Sequence, residues 1–344
     1  MKTKSFLLGA AALMLVTACS NDEVVKVAEN SAAIGFSSFV NKSTRATDAT
    51  DFTYENLNDL KVWGVTSRGE EIAASEIFGG ELVSKGSAAV GSPWTYSPLR
   101  YWIAGNDYSF AAIAPADADT KGVTVSQSLA EGWSEAGLTI AFDNKKAEAA
   151  LDLLYATNSV TNAAADNSAV ELDLKHMLSR VKFQFINNFP GAETIEIENL
   201  KILNAPATAE IEKAAATGTW SNATGTFEVP FAVAETNGKT VTTEHMYLIP
   251  LTDAVNYKIS FTVKLKNGEN VLAEYVHNGG VDGETVKGIE LGELNYKNNC
   301  SYIFKATIDA TNIDPDNELK PIEFTPSVSN WEDWGTENDI VLPN

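Results

Sequence analysis

The sequence predicts an all-β protein with one β-sandwich in each half. Three observations carry this: apolar and polar residues alternate over many short runs, turn-forming residues separate the runs, and helical spacing is nearly absent. The clearest run is Tyr257, Ile259, Phe261, Val263 and Leu265, set against Lys258, Ser260, Thr262, Lys264 and Lys266. Asn267-Gly268 follows and predicts a hairpin back through Val271 to Val276, because Asn-Gly takes positive φ readily.

Taken from the first residue, Lys2 and Lys4 precede the apolar run Phe6 to Val16, which ends in Val16-Thr17-Ala18-Cys19. A charged start, a short apolar run and small residues make residues 1–18 a secretory signal. The run is too short for an ordinary membrane-spanning helix. A cysteine at this place resembles the lipobox of bacterial lipoproteins, which implies cleavage between Ala18 and Cys19 and lipid, palmitate included, on Cys19. Each buried methylene contributes about 0.8 kcal/mol, so several acyl chains anchor durably. Ser20-Asn21-Asp22-Glu23 resembles the acidic tag that directs some lipoproteins of Gram-negative anaerobes to the outer face of the outer membrane.

Without residues 1–18 the chain keeps 326 residues, a length that suits about two domains. Lys2 and Lys4 are the only charges lost, leaving 23 basic residues against 46 acidic ones and a formal charge of −23. Nucleic acid is not expected as a partner, since its phosphates would be repelled. High negative charge fits a solvated extracellular surface. Cys300 has no partner once Cys19 is acylated, so it reads as a small buried hydrophobe in the strand around Tyr302.

Residues 19–50 form a propeptide holding a strand and a tether. Ile34, Phe36 and Val40 put apolar side chains on one side, with Ser37 and Asn41 on the other, while Phe39 breaks the pattern. Asn41 to Asp48 has no large apolar residue to bury and presents Arg45 to any trypsin-like protease. A strand severed by one cut can leave its sandwich, and the groove it leaves needs another strand.

The first domain is expected over residues 51–168. Leu60 to Val65 opens it, the aromatic-rich stretch Pro93 to Tyr101 follows, and Tyr108 to Ile113 and Leu138 to Phe142 alternate. Ala147 to Ala156 reads either as one short helix or, through Leu153-Leu154-Tyr155, as a buried strand. Asn158 to Asn167 is rich in Asn, Ala and Thr and marks the boundary. The second domain is expected over residues 169–344, with Val181, Phe183 and Phe185, then Ile195 and Ile197, and last Tyr302, Phe304, Ala306 and Ile308 as inward positions. Ile322, Phe324 and Val328 alternate after these, and Ile340-Val341-Leu342 places apolar residues where a solvated tail would be polar. These six residues either complete the second sandwich or form a strand given to another molecule. Burying three or four of them stabilises by about 1.5 to 3 kcal/mol each.

The lipobox, the strand with its Arg45 tether, PLRYWIAGNDYSFAAIAP (98–115), LKHMLSRVKFQF (174–185), MYLIP (246–250) and SVSNWEDWG (327–335) occur in an order that resembles the fimbrillin family. These are the type V pilins of Gram-negative anaerobes. The resemblance implies two tandem transthyretin-like β-sandwich domains, export as a lipoprotein held in the outer membrane through Cys19, and no cofactor. It also implies a cut between Arg45 and Ala46 by an arginine-specific surface protease. The displaced first strand would carry Ile34, Phe36 and Val40 out of the groove. A C-terminal donor strand from a neighbouring fimbrial subunit would fill it, building a surface fimbria that supports adhesion.

Catalytic readings find little footing. His176, His245 and His277 lie far apart and form no metal-spaced pair. His176 reads as a packed or hydrogen-bonded structural residue. No GxSxG, GxxxxGK[ST] or CxxC motif is present. Glu193, Glu196, Glu198, Glu332 and Asp333 are read as solvated strand faces rather than hydrolytic carboxylates. The competing reading is a monomeric surface glycan-binding lipoprotein, for which Trp63, Trp94, Trp102, Trp133, Trp220, Trp331 and Trp334 would supply stacking faces. Core packing accounts for most of these indoles.

Overall fold

In the computed structural model the described residues are 31–40, 57–69, 71–86, 94–127, 138–145, 151–165, 167–211, 220–236, 238–251, 253–277, 281–282, 285–286, 288–313, 322–330 and 340–341. Nine strands come first: β1 (Phe36–Val40), β2 (Asp59–Arg68), β3 (Ile72–Lys85), β4 (Trp94–Thr95), β5 (Asp107–Ala114), β6 (Val123–Gln127), β7 (Leu138–Asp143), β8 (Leu154–Val160) and β9 (Val170–His176). Seven of them make one sheet in the order β1-β9-β8-β5-β2-β3-β4. The pairing of β1 with β9 is parallel, while the other pairings in this sheet are antiparallel.

The open question over Ala147 to Ala156 resolves toward strand where it is described, since Leu154 begins β8 and pairs with Ala114 of β5. In β5 the expected alternation gives way to burial on both faces. Phe110, Ala112 and Ala114 line one core, and Ala111 and Ile113 line another. Small residues are used here because a central strand covered on both sides has little room.

The remaining strands are β10 (Ser179–Asn187), β11 (Thr194–Ile211), β12 (Ser221–Pro230), β13 (Val233–Thr236), β14 (Thr240–Thr243), β15 (Met246–Leu248), β16 (Val255–Asn267), β17 (Asn270–His277), β18 (Val281–Asp282), β19 (Thr285–Val286), β20 (Ile289–Leu294), β21 (Cys300–Ile308), β22 (Phe324–Asn330) and β23 (Ile340–Val341). One sheet runs β13-β14-β10-β21-β22-β23, with β15 also on β10. Another runs β17-β16-β11-β7-β6, with β12 on β11 and β20 on β16. Between them lies a core that takes Phe183 and Phe185 of β10, Tyr302 and Phe304 of β21, Ile195 and Ile202 of β11, and Tyr257 to Val263 of β16. Two sheets closing on one apolar core make a sandwich.

The hairpin after β16 forms, with its loop one residue later than the Asn-Gly reading placed it. Asn267 pairs with Asn270, so Gly268 and Glu269 are the two loop residues, and Gly268 has φ +58°. Glycine at the first loop position suits a two-residue turn that needs positive φ there.

Residues 168 and 169, where the domain boundary is expected, lie just before β9, which is a strand of the first sheet. The long strand β11 pairs through Thr194–Ile202 with β16 and through Thr208–Ile211 with β7, so it serves both halves. Cys300 is half-buried rather than buried, at the first position of β21, and burial pushes its thiol pKa up. Described helix is limited to the turn Ala118–Thr120 and the short Ala310–Ile313.

Candidate functional site: the groove of the first strand

The first sheet curls until its two ends meet, and residues 32–40 close the gap. On one side, the Ile34 N–H donates to the Arg100 carbonyl at 2.8 Å and the Trp102 N–H donates to the Ala32 carbonyl at 3.1 Å. On the other, the parallel ladder runs from Phe36 beside Val170 to Val40 beside Leu174. The Val170 N–H reaches the Gly35 carbonyl at 2.8 Å, and the Ala32 N–H reaches Ala165 at 2.7 Å. A segment bonded along both edges supplies partners to backbone groups that would otherwise be unpaired.

Side chains complete the closure. Ile34 and Phe36 are buried in the core inside the curl. The Phe36 ring meets Phe78 at 5.4 Å, Tyr96 at 5.7 Å and Phe110 at 5.8 Å, each nearly edge to face. Such pairs contribute about 0.5 to 1.5 kcal/mol each beyond area burial. The Tyr96 hydroxyl donates to the Ile34 carbonyl at 2.8 Å and accepts the Arg100 N–H at 3.2 Å. Burial raises the Tyr96 phenol, which keeps it a donor. Arg100 is itself fixed, with Nε on the Ile77 carbonyl at 3.0 Å, Nη1 on the Pro98 carbonyl at 2.8 Å, and its guanidinium 5.9 Å from the Phe78 ring centre.

The inward set of this strand differs in one place from the sequence reading. Strand period puts Ile34, Phe36 and Ser38 on the core side, and Ser38 is only 1% exposed. Its neighbour on β9 is Leu172, also fully buried. Val40 continues the ladder beside Leu174.

Of the other expected site residues, Ala18, Cys19, Arg45, Ala46 and Leu342 lie outside the described residues. Ile322 is buried, and Phe324 reaches the rings of Phe183, Phe185 and Phe261 at 5.8, 5.8 and 6.2 Å. Val328 pairs with Tyr302 in the β21–β22 ladder and packs against the same core. In this conformation those three residues therefore belong to the second sandwich. Ile340 and Val341 form β23, which adds two register pairs to the outer edge of β22. Tyr96, Arg100, Trp102 and Ala165 hold the first strand; the sequence reading gave none of them this role, Trp102 being considered only as a stacking face and Tyr96 and Arg100 falling within the aromatic-rich run Pro93 to Tyr101.

Histidines and carboxylates have structural surroundings. His176 is buried with Nδ1 2.7 Å from Asp152 Oδ1. Glu196 and Glu198 pair with Lys266 at 3.2 Å and Lys264 at 2.7 Å across β11 and β16. Among the described residues no group of three His, Cys, Asp or Glu side chains is placed to hold a metal ion. Trp94, Trp102 and Trp220 are buried, so these three indoles offer no exposed stacking face. His277 stacks on Phe261 at 4.9 Å and meets the Tyr275 ring at 4.7 Å. Burial lowers its pKa to about 4, from an ordinary 6.5. A neutral imidazole favoured by the fold stabilises above the unfolded value and loses that contribution as pH falls from about 6.5 toward 4. His277→Phe is expected to flatten that part of the stability profile by on the order of 1 kcal/mol, allowing for solvent access, as read by urea unfolding across the window.

Residues 44–331 match the Fimbrillin-like family. A candidate cell adhesion protein from Bacteroides ovatus is similar in structure, with 12% identity, a TM-score of 0.51, and coverage of 88% of this chain and 98% of that one. Another from Bacteroides uniformis has 16% identity and a TM-score of 0.48 over 87% and 99% of the two chains. Mfa2, the fimbrial anchor protein of Porphyromonas gingivalis, has 14% identity and a TM-score of 0.41 over 87% and 98%. No curated protein sequence matches the chain.

Proposed function

Because the chain belongs to the Fimbrillin-like family, we propose that it is the lipoprotein precursor of a structural subunit of a surface fimbria, matured by a cut after Arg45 and polymerised by strand exchange. The observation that carries this is the placement of β1. It is a terminal strand of its sheet, it fills an aromatic groove, and in the sequence the Arg45 tether follows it directly. While joined to the chain it occupies the groove and keeps the subunit single. Once severed it is held by noncovalent contacts alone, and another strand can compete for the same backbone groups.

The donor in this reading comes from the C-terminal end of a neighbouring subunit. Ile340 and Val341 are the better candidates, because β23 holds to β22 by two register pairs, whereas Ile322, Phe324 and Val328 are committed to the second core. Cys19 carries the lipid before the cut, the outer membrane holds the precursor, and an arginine-specific surface protease releases it. The subunit performs no catalysis in this account; its work is assembly and adhesion.

The test is intact mass of the protein from surface fractions before and after mild treatment with an arginine-specific protease. The expected result is a lipidated species that loses residues 19–45 and then forms high-mass ladders. A chain that stays whole, lipidated and monomeric with Arg45 protected would overturn strand exchange.

A further inference from the structure

The inner face of β1 is not uniformly apolar. Ile34 and Phe36 fill the aromatic end of the groove, but the next inward position is Ser38, 1% exposed. Its hydroxyl makes no hydrogen bond among the described residues. The strand it lies against carries Val170, Leu172 and Leu174 inward, all buried, so a serine faces a row of aliphatic side chains. A buried hydroxyl without a partner loses its water and gains nothing in return. At this position of an otherwise apolar ladder an alanine or valine would hold the strand more tightly.

Resting on the strand-exchange reading above, we propose that Ser38 makes β1 a weak occupant of its own groove, and that the strand which replaces it places an aliphatic side chain beside Leu172. The polar position lowers the stability of the resident strand without touching its ability to close the sheet while it is covalently joined. After the cut, a competitor with the same backbone hydrogen bonds and no buried hydroxyl wins on affinity. In a strand, residues two apart share a face. Ile340 and Leu342 meet that requirement, so either can lie beside Leu172 while the other fills a neighbouring inward place. Ser38 is thus a specificity-determining residue of the groove: it favours exchange over rebinding of the severed strand.

Hydrogen exchange on the uncut full-length chain tests this without any need for assembly. Ser38→Ala deletes the hydroxyl without adding bulk, and Ser38→Val supplies the branched side chain. The amides of β1 are expected to exchange about ten- to a hundredfold more slowly than in the parent chain in at least one variant. Unchanged or faster exchange in both variants overturns the proposal. In the second arm, each chain is cut after Arg45 and the bound fraction of fragment 19–45 is followed by mass over time. Longer retention in the protected variant, with later appearance of ladders, supports the proposal, and release as fast as in the parent overturns it. If the cut parent chain releases its fragment yet never forms ladders, strand exchange fails while the exchange-rate comparison still decides the role of Ser38.

Discussion

Phe36→Ala is expected to cost about 3 to 5 kcal/mol of local stability in the uncut chain, the range for deleting a buried phenylalanine. The ring is 4% exposed and is the meeting point of Phe78, Tyr96 and Phe110, which come from β3, the segment after β4, and β5. Its removal therefore empties the place where the two ends of the curled sheet join. Because β1 lies at the end of its sheet, the loss is expected to free the strand before it unfolds the rest, so the observed global change is limited by the cost of opening β1. The measurement is paired: denaturant unfolding for the global change, and hydrogen exchange of the β1 amides for the local one. Faster exchange in β1 with a smaller global loss is the expected pattern. Equal stability and unchanged exchange in β1 would show that the aromatic cluster does not hold the strand.

Arg45→Ala is expected to abolish homopolymers altogether while leaving export and lipidation intact. An uncut chain keeps β1 joined, and a tethered strand competes for its groove at a high effective concentration that no free donor matches. The same chain still carries its C-terminal residues, so it can give a strand although it cannot accept one. Mixed with cut parent subunits, it is therefore expected to occupy growing ends and shorten the ladders at ratios well below one to one. High-mass ladders from the variant alone would refute the role of the cut. Ladders of unchanged length in the mixture would refute donation from the C-terminal end.

Much of the architecture was legible in the sequence because two-sided strands advertise themselves. β10, β16 and β21 alternate inward Val181, Phe183 and Phe185, or Tyr257, Ile259 and Phe261, or Tyr302, Phe304 and Ala306, as the two-residue period requires. β5 was less legible, since burial on both faces erases alternation and leaves Ala111 and Ala112 alike. The parallel partnership of β1 with β9 joins residues far apart in sequence and has no local signature. Tyr96 and Arg100 could be noticed only as part of an aromatic-rich stretch, because their role depends on where the curled sheet brings Ile34. Ser38 escaped notice because a serine beside a second serine reads as surface, and register decides which of the two turns inward.

The 18-residue strand β11 bears on what a fibre must withstand. A linker between two halves would be the compliant part of a subunit under tension. Here a pull on one half passes along an extended backbone that is laced to β16 over its first part and to β7 over its last. Load is then spread as shear over two ladders of hydrogen bonds, many of which must yield together. Such a subunit is expected to stretch little before it yields, its two halves sharing the force through β11 rather than passing it through a hinge.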